Sequence, residues 1–183
     1  MGAVVHPQCL LVRGRLTRLH RQIGVIGFPV ALGILVSGVA VARWVVQRDL
    51  ATKGEAALSE IVGVVTGLSI FAALVAAAII RRRRSDWHKR LMLLATVAVL
   101  WPAWFRIRHV LPFVPDPEIW LGLIAADLPI LIAAVRDYWL YGRVHPAWAF
   151  LGTALFVEQS FEILAFDSPP WRSVGGAIYA LLD

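Results

Sequence analysis

Charge is scarce in this chain and cysteine is almost absent. Asp, Glu, Lys and Arg make up 16% of the 183 residues, against roughly 25% in soluble domains, and that excludes an ordinary water-soluble globule. Cys9 is the only cysteine, so a disulfide scaffold and a thiol redox pair are excluded as well. The sequence has no GxxxxGKS, GxSxG, CxxC or HExxH, and phosphate-loop, serine-hydrolase and zincin chemistry therefore lack their residues. The stretch His6-Pro7-Gln8-Cys9 reads as a mobile N-terminal segment rather than a metal site.

Apolar side chains fill the space left by these absences. Hydrophobic residues account for 59% of the chain, with a mean hydropathy of +0.71, which rules out disorder and collagen and points to a polytopic membrane protein. At about 20 residues per helical span, the length allows four or five spans and little else. The net charge of +6 would suggest nucleic acid in a soluble protein. Here the basic residues stand at the ends of apolar runs, where they act as orientation signals, so no nucleic-acid partner is expected.

The expected fold is all-α, a transmembrane helical bundle of five spans with four as the alternative. Residues 1–22 form a basic cytoplasmic segment, 23–166 the bundle, and 167–183 a short tail on the outer face. The first run, 23–46, is too long for the roughly 7–15-residue core of a signal peptide and reads as an uncleaved span. A second covers residues 58–80. The loop after it carries Arg81, Arg82, Arg83, Arg84, Lys89 and Arg90, with Ser85 as helix cap and Trp87 at headgroup level. A third span covers 91–110, kinked near Trp101-Pro102; Pro112, Pro115 and Pro117 break the chain before a fourth over 118–135. The fifth, 147–166, is interrupted by Glu158, Gln159 and Glu162, so a surface helix competes with a span there. The tail is too short to span and is expected to lie on the outer surface as a partly amphipathic helix. Five spans with the N-terminus inside place twelve of the eighteen basic residues on the cytoplasmic side. Gly33 and Ser37, and Gly63 and Gly67, are spaced four apart and suit close helix packing inside the bundle, with a homodimer face as the alternative.

Two constellations could carry chemistry. His20, His88 and His145 each stand just outside an apolar run at one predicted level, where three imidazoles could hold haem b iron or a divalent metal, with Asp86 and Asp137 orienting the rings. Interfacial histidines also occur beside Arg and Trp without any ligand, and none of these belongs to a paired motif such as HxxxH. His109 cannot share an iron with His88, because the 21 residues between them rise about 31 Å. The second constellation is intramembrane charge: Arg106, Asp127, Glu158 and Glu162. Each costs about 2.5–3.5 kcal/mol at a helix centre, so they should face the bundle. Arg106 is expected to pair with Glu162, leaving Asp127 and Glu158 as carboxylic acids of a proton path or polar pocket.

Three stretches, His20-Arg21-Gln22-Ile23-Gly24, Asp86-Trp87-His88-Lys89-Arg90-Leu91-Met92 and Arg143-Val144-His145-Pro146, resemble the recurring elements of small, uncharacterised bacterial inner-membrane proteins with an HKRLM-type motif. More distantly the chain is similar to b-type membrane cytochromes and oxidase-assembly membrane proteins. The resemblance implies a redox or metal-handling role through His20 and His88, with His145 as a further ligand. The chain departs from two-haem cytochromes in lacking matched histidine pairs in both leaflets. Three readings follow: a non-enzymatic membrane protein with a helix-end haem or metal site, a small proton-linked carrier built on the intramembrane charges, and a packing subunit of a membrane complex. The partners expected are the lipid bilayer and either another subunit or a second copy of the chain.

Overall fold

The structure is a computed structural model that describes residues 17–182, with side chains at 22 and from 24 onward. Residues 1–16, and with them His6 and Cys9, lie outside the described residues, as do the side chains of His20 and Arg21. The described chain is helical throughout, and its helices are α1 (Thr17–Lys53), α2 (Ala56–Ile80), α3 (Ser85–Ala98), α4 (Trp101–Phe105), α5 (Ala126–Tyr141), α6 (Thr153–Ala165) and α7 (Pro169–Leu182). A 3₁₀ turn, Arg106–His109, follows α4, and wider π-helical stretches, Glu118–Ala125 and Ala147–Gly152, lead into α5 and α6. Four segments are long and apolar enough to cross a membrane: Gly24–Lys53, Ala56–Ile80, Ser85–His109 and Glu118–Tyr141. A fifth is reached only by joining Ala147–Ala165 to Pro169–Leu182, which meet at a bend of 102°.

Prolines set the breaks. Pro102 has no N–H for the carbonyl of Ala98, and α3 stops at Ala98, its last turn closing through Val99 N to Thr96 O and Leu100 N to Val97 O. Pro129 likewise cannot bond the carbonyl of Ala125, where the π-helical stretch ends. Gly142, at φ +67°, closes α5 with its N–H on Tyr138 O, a left-handed cap that a side chain would strain. Ser85 does not cap α3: it is the first helical residue, Arg84 occupies the cap position, and no side chain bonds there.

The chain divides into two units, residues 1–37 and 38–183. In the first, Val25, Ile26, Phe28, Val30, Leu32 and Val36 are all exposed, a surface suited to hydrocarbon rather than water, and Ser37 turns its hydroxyl back to Gly33 O at 2.6 Å. In the second, α2 packs against α3 on one side and α7 on the other. Ile61, Leu91, Leu94, Val46 and Val97 are fully buried. Along α5 the burial is inside out: Asp127 and Asp137 are buried while Leu128, Leu131, Ile132 and Trp139 face outward. An outward apolar face of this kind suits lipid chains better than water.

The tail forms a true helix and does more than lie at the surface. Its Trp171, Ile178, Tyr179 and Leu182 pack onto the cluster of Ala42, Val46, Ile61 and Val62. The bend that turns it is held by Asp167 at φ +61°, whose carboxylate receives Arg172 Nε at 2.7 Å and Nη2 at 2.9 Å. Those hydrogen bonds hold the Asp167 carboxyl below the usual carboxylate range, so the clamp is complete at neutral pH and loosens on acidification. At Gly175 the helices touch backbone to backbone, because an added Cβ would lie 2.0 Å from Leu58 O. Gly175→Ala should therefore lower the stability of the detergent-solubilised protein by about 1–3 kcal/mol. Gly176→Ala, whose Cβ would make ordinary 3.7 Å contact with Leu58 Cδ1, should leave thermal unfolding unchanged.

Candidate functional site

Two polar levels cross the bundle, and they differ in how completely they are satisfied. At the end marked by Arg81, Arg82, Arg83 and Arg84, Arg90 of α3 is buried against Asp137 of α5, each side chain 5% exposed. Asp137 Oδ2 receives Arg90 Nε at 2.7 Å, Arg90 Nη2 at 2.6 Å and the indole N–H of Trp148 at 2.8 Å. Arg90 Nη1 donates to Asp86 O at 2.6 Å. A pair of this kind is stable because each guanidinium nitrogen has an acceptor; either partner alone would be a buried, uncompensated ion. Sequence reading placed Arg90 among the topology charges and Asp137 beside a histidine. Nothing local in the sequence marked Arg90 as the cation that turns inward, because its partner carboxylate lies on another helix.

The histidines lie at the same end. His145 Nδ1 accepts the N–H of Ala147 at 3.1 Å, its Nε2 faces Asp86 Oδ2 at 3.5 Å, and Trp87 meets its ring edge-on at 4.9 Å between centroids. His88 Nδ1 lies 2.8 Å from Ala78 O, which it can meet only as a donor. Both nitrogens of His145 are thus used by the chain itself, and among the described residues no three His, Cys, Asp or Glu side chains come together as ligands. Among the described residues, then, His88 and His145 are not joined by a third ligating side chain, and the side chain of His20 lies outside the described ones. Asp86 does face an imidazole; Asp137 serves Arg90 and Trp148 instead.

The second level lies deeper. Asp127 stands nine residues past Glu118 and Glu158 eleven past Ala147, or about 13 and 16 Å along their helices. Glu162, one turn beyond Glu158, crosses to α2: its Oε1 accepts the Thr66 hydroxyl, and its other oxygen lies 3.1 Å from where a Cβ on Gly63 would stand. The absent side chain at Gly63 makes the berth for this carboxyl. Glu158 lies one turn before Glu162, on the same face of α6. Asp127 is 6% exposed and neither of its oxygens has a partner; Gln159 is 4% exposed and its Oε1 is also unpartnered. The expected pair of Arg106 and Glu162 does not form. Arg106 is exposed on the 3₁₀ turn beyond α4, because the break forced by Pro102 carries it off the helical register that would point it inward.

Comparison with protein-family models, curated proteins and solved structures returns no match for this chain. The geometry predicts that Asp137→Ala costs about 3–5 kcal/mol by stranding Arg90. Replacing the whole set at once, Arg90→Met with Asp137→Leu and Trp148→Phe, should recover most of that loss in thermal unfolding in detergent; an additive loss would contradict this account.

Proposed function

We propose that this is a multi-pass protein of the bacterial inner membrane, N-terminus in the cytoplasm, that takes up and releases a proton at a carboxyl pair inside the bundle, as the proton site of a small carrier. The orientation rests on the basic residues, which gather at the Arg81 end of the helices. The function rests on one observation: Glu162 reaches from α6 to the Thr66 hydroxyl of α2, with Glu158 one turn before it on the same helix face and both carboxyls turned partly away from the surface. Two carboxylates cannot face each other in a medium of low dielectric as two anions, so a proton is shared between them. Asp127, buried without a partner, supplies a second acceptor for the same proton. A metal ion fits less well, since the three carboxyls do not converge as one ligand set.

A hydrophobic carbodiimide tests this reading, because it adds to protonated carboxyls in apolar surroundings. Dicyclohexylcarbodiimide at mildly acidic pH is expected to label the peptide containing Glu158 and Glu162. Labelling should fall as pH rises, and Glu162→Gln, which keeps the Thr66 contact, should lower it several-fold. Folded wild-type protein that takes no label at acidic pH would refute the shared proton.

A further inference from the structure

Beyond the carboxyl site, the partition of charge between the two ends of the bundle points to a second binding surface. At the Lys53 end, basic residues are neutralised within the chain: Arg48 bonds Asp49 at 2.5 Å, Lys53 bonds Asp49 at 2.7 Å and Glu60 at 2.5 Å, and Arg172 bonds Asp167. At the other end, Arg81, Arg82, Arg83 and Arg84 are all exposed, and among the described residues none forms an ion pair with an acid. The one acid in that hairpin, Asp86, faces His145, and the one cation the interior needs there, Arg90, is already buried on Asp137. The four arginines are therefore surplus to the fold. They are also positioned: Arg81 lies over the Trp87 ring at 5.3 Å, and that ring is fixed edge-on against His145. Arg136 and Arg143, at the end of α5 and just past it, are exposed at the same level beside the exposed rings of Tyr138, Trp139 and Tyr141. Guanidinium groups beside aromatic rings at a helix end match phosphate esters at the boundary between headgroups and acyl chains.

We infer that the 81–84 hairpin, with Arg136 and Arg143, is a docking surface for anionic phospholipid headgroups of the cytoplasmic leaflet. The guanidiniums take the phosphates, and Trp87 and Trp139 sit among the upper acyl chains. This surface requires only that the protein resides in a membrane and is independent of the carboxyl pair.

Native mass spectrometry of the full chain in detergent, with phosphatidylglycerol, cardiolipin and phosphatidylcholine offered at equal concentration, tests it. The wild-type protein should retain the two anionic lipids at least about tenfold over phosphatidylcholine, and the preference should fall with added salt. In the variant with Arg81→Gln, Arg82→Gln, Arg83→Gln and Arg84→Gln the preference should drop to about threefold or less, whereas four Arg→Lys changes, which keep the charge and so the membrane orientation, should retain most of it. Equal retention of the neutral lipid by the wild-type protein, or a preference insensitive to salt, overturns the proposal without any variant. Complete displacement of the lipid by equimolar glycerol phosphate, or tight binding of an RNA oligomer with no lipid preference, would assign the surface to a soluble phosphate or to nucleic acid and overturn it as well.

Discussion

The ion pair between Arg90 and Asp137 is the constraint on which the rest of the bundle depends. A charge inside a membrane protein must find its opposite, and these two residues are 47 positions apart on different helices. Once they meet, α3 and α5 are fixed side by side at one level, and the indole of Trp148 is drawn to the same carboxylate oxygen. That third contact anchors the start of the Ala147–Ala165 segment. His145, immediately before it, then reaches Asp86 and caps the chain at Ala147. The hairpin after α2 inherits its geometry from this arrangement, and so does the display of arginines on it.

The deeper level obeys a different rule. Around Arg90 every strong donor has an acceptor, whereas Asp127 and Gln159 carry buried oxygens with none. A folded chain keeps few such groups, because each costs about 1–3 kcal/mol. Their cost falls when a mobile proton or water occupies them, which is why the unsatisfied level, rather than the well-paired one, is where we place the function. Gly63 supports the same view: a side chain there would press on the Glu162 carboxyl, so α2 is shaped to receive it.

The sequence made the spans legible because an apolar run of about 20 residues has few other uses. It also made the kink before Arg106 legible, since proline acts locally. It did not reveal which of six neighbouring cations turns inward: Arg84, Lys89 and Arg90 look alike until a partner on another helix is known. Thr66 was invisible as a site residue for the same reason, lying 96 positions from Glu162. The expected pairing of Arg106 with Glu162 followed from depth counted along straight helices, and the break at Ala98 ended that count. The tail was read from its length and partial amphipathicity, neither of which speaks of Gly175 and the close approach it permits.

These contacts also decide how a carboxyl pair on α6 can work. The segment is pinned at its start by Trp148 and His145 and, past its far end, by the docking of α7, where Phe161 also meets Trp171 at 5.9 Å. In between, Gly152 is pressed so close to Ile130 that an added Cβ would lie 2.8 Å from its Cγ2. A helix held at both ends and packed in its first turns cannot carry Glu158 and Glu162 far by sliding. Any proton exchange must then proceed through rotamer changes of the carboxyls themselves, between Thr66 on one side and Asp127 on the other. The Glu162 carboxyl fills the berth at Gly63, and the two unpartnered oxygens of Asp127 offer such an exchange a second end point.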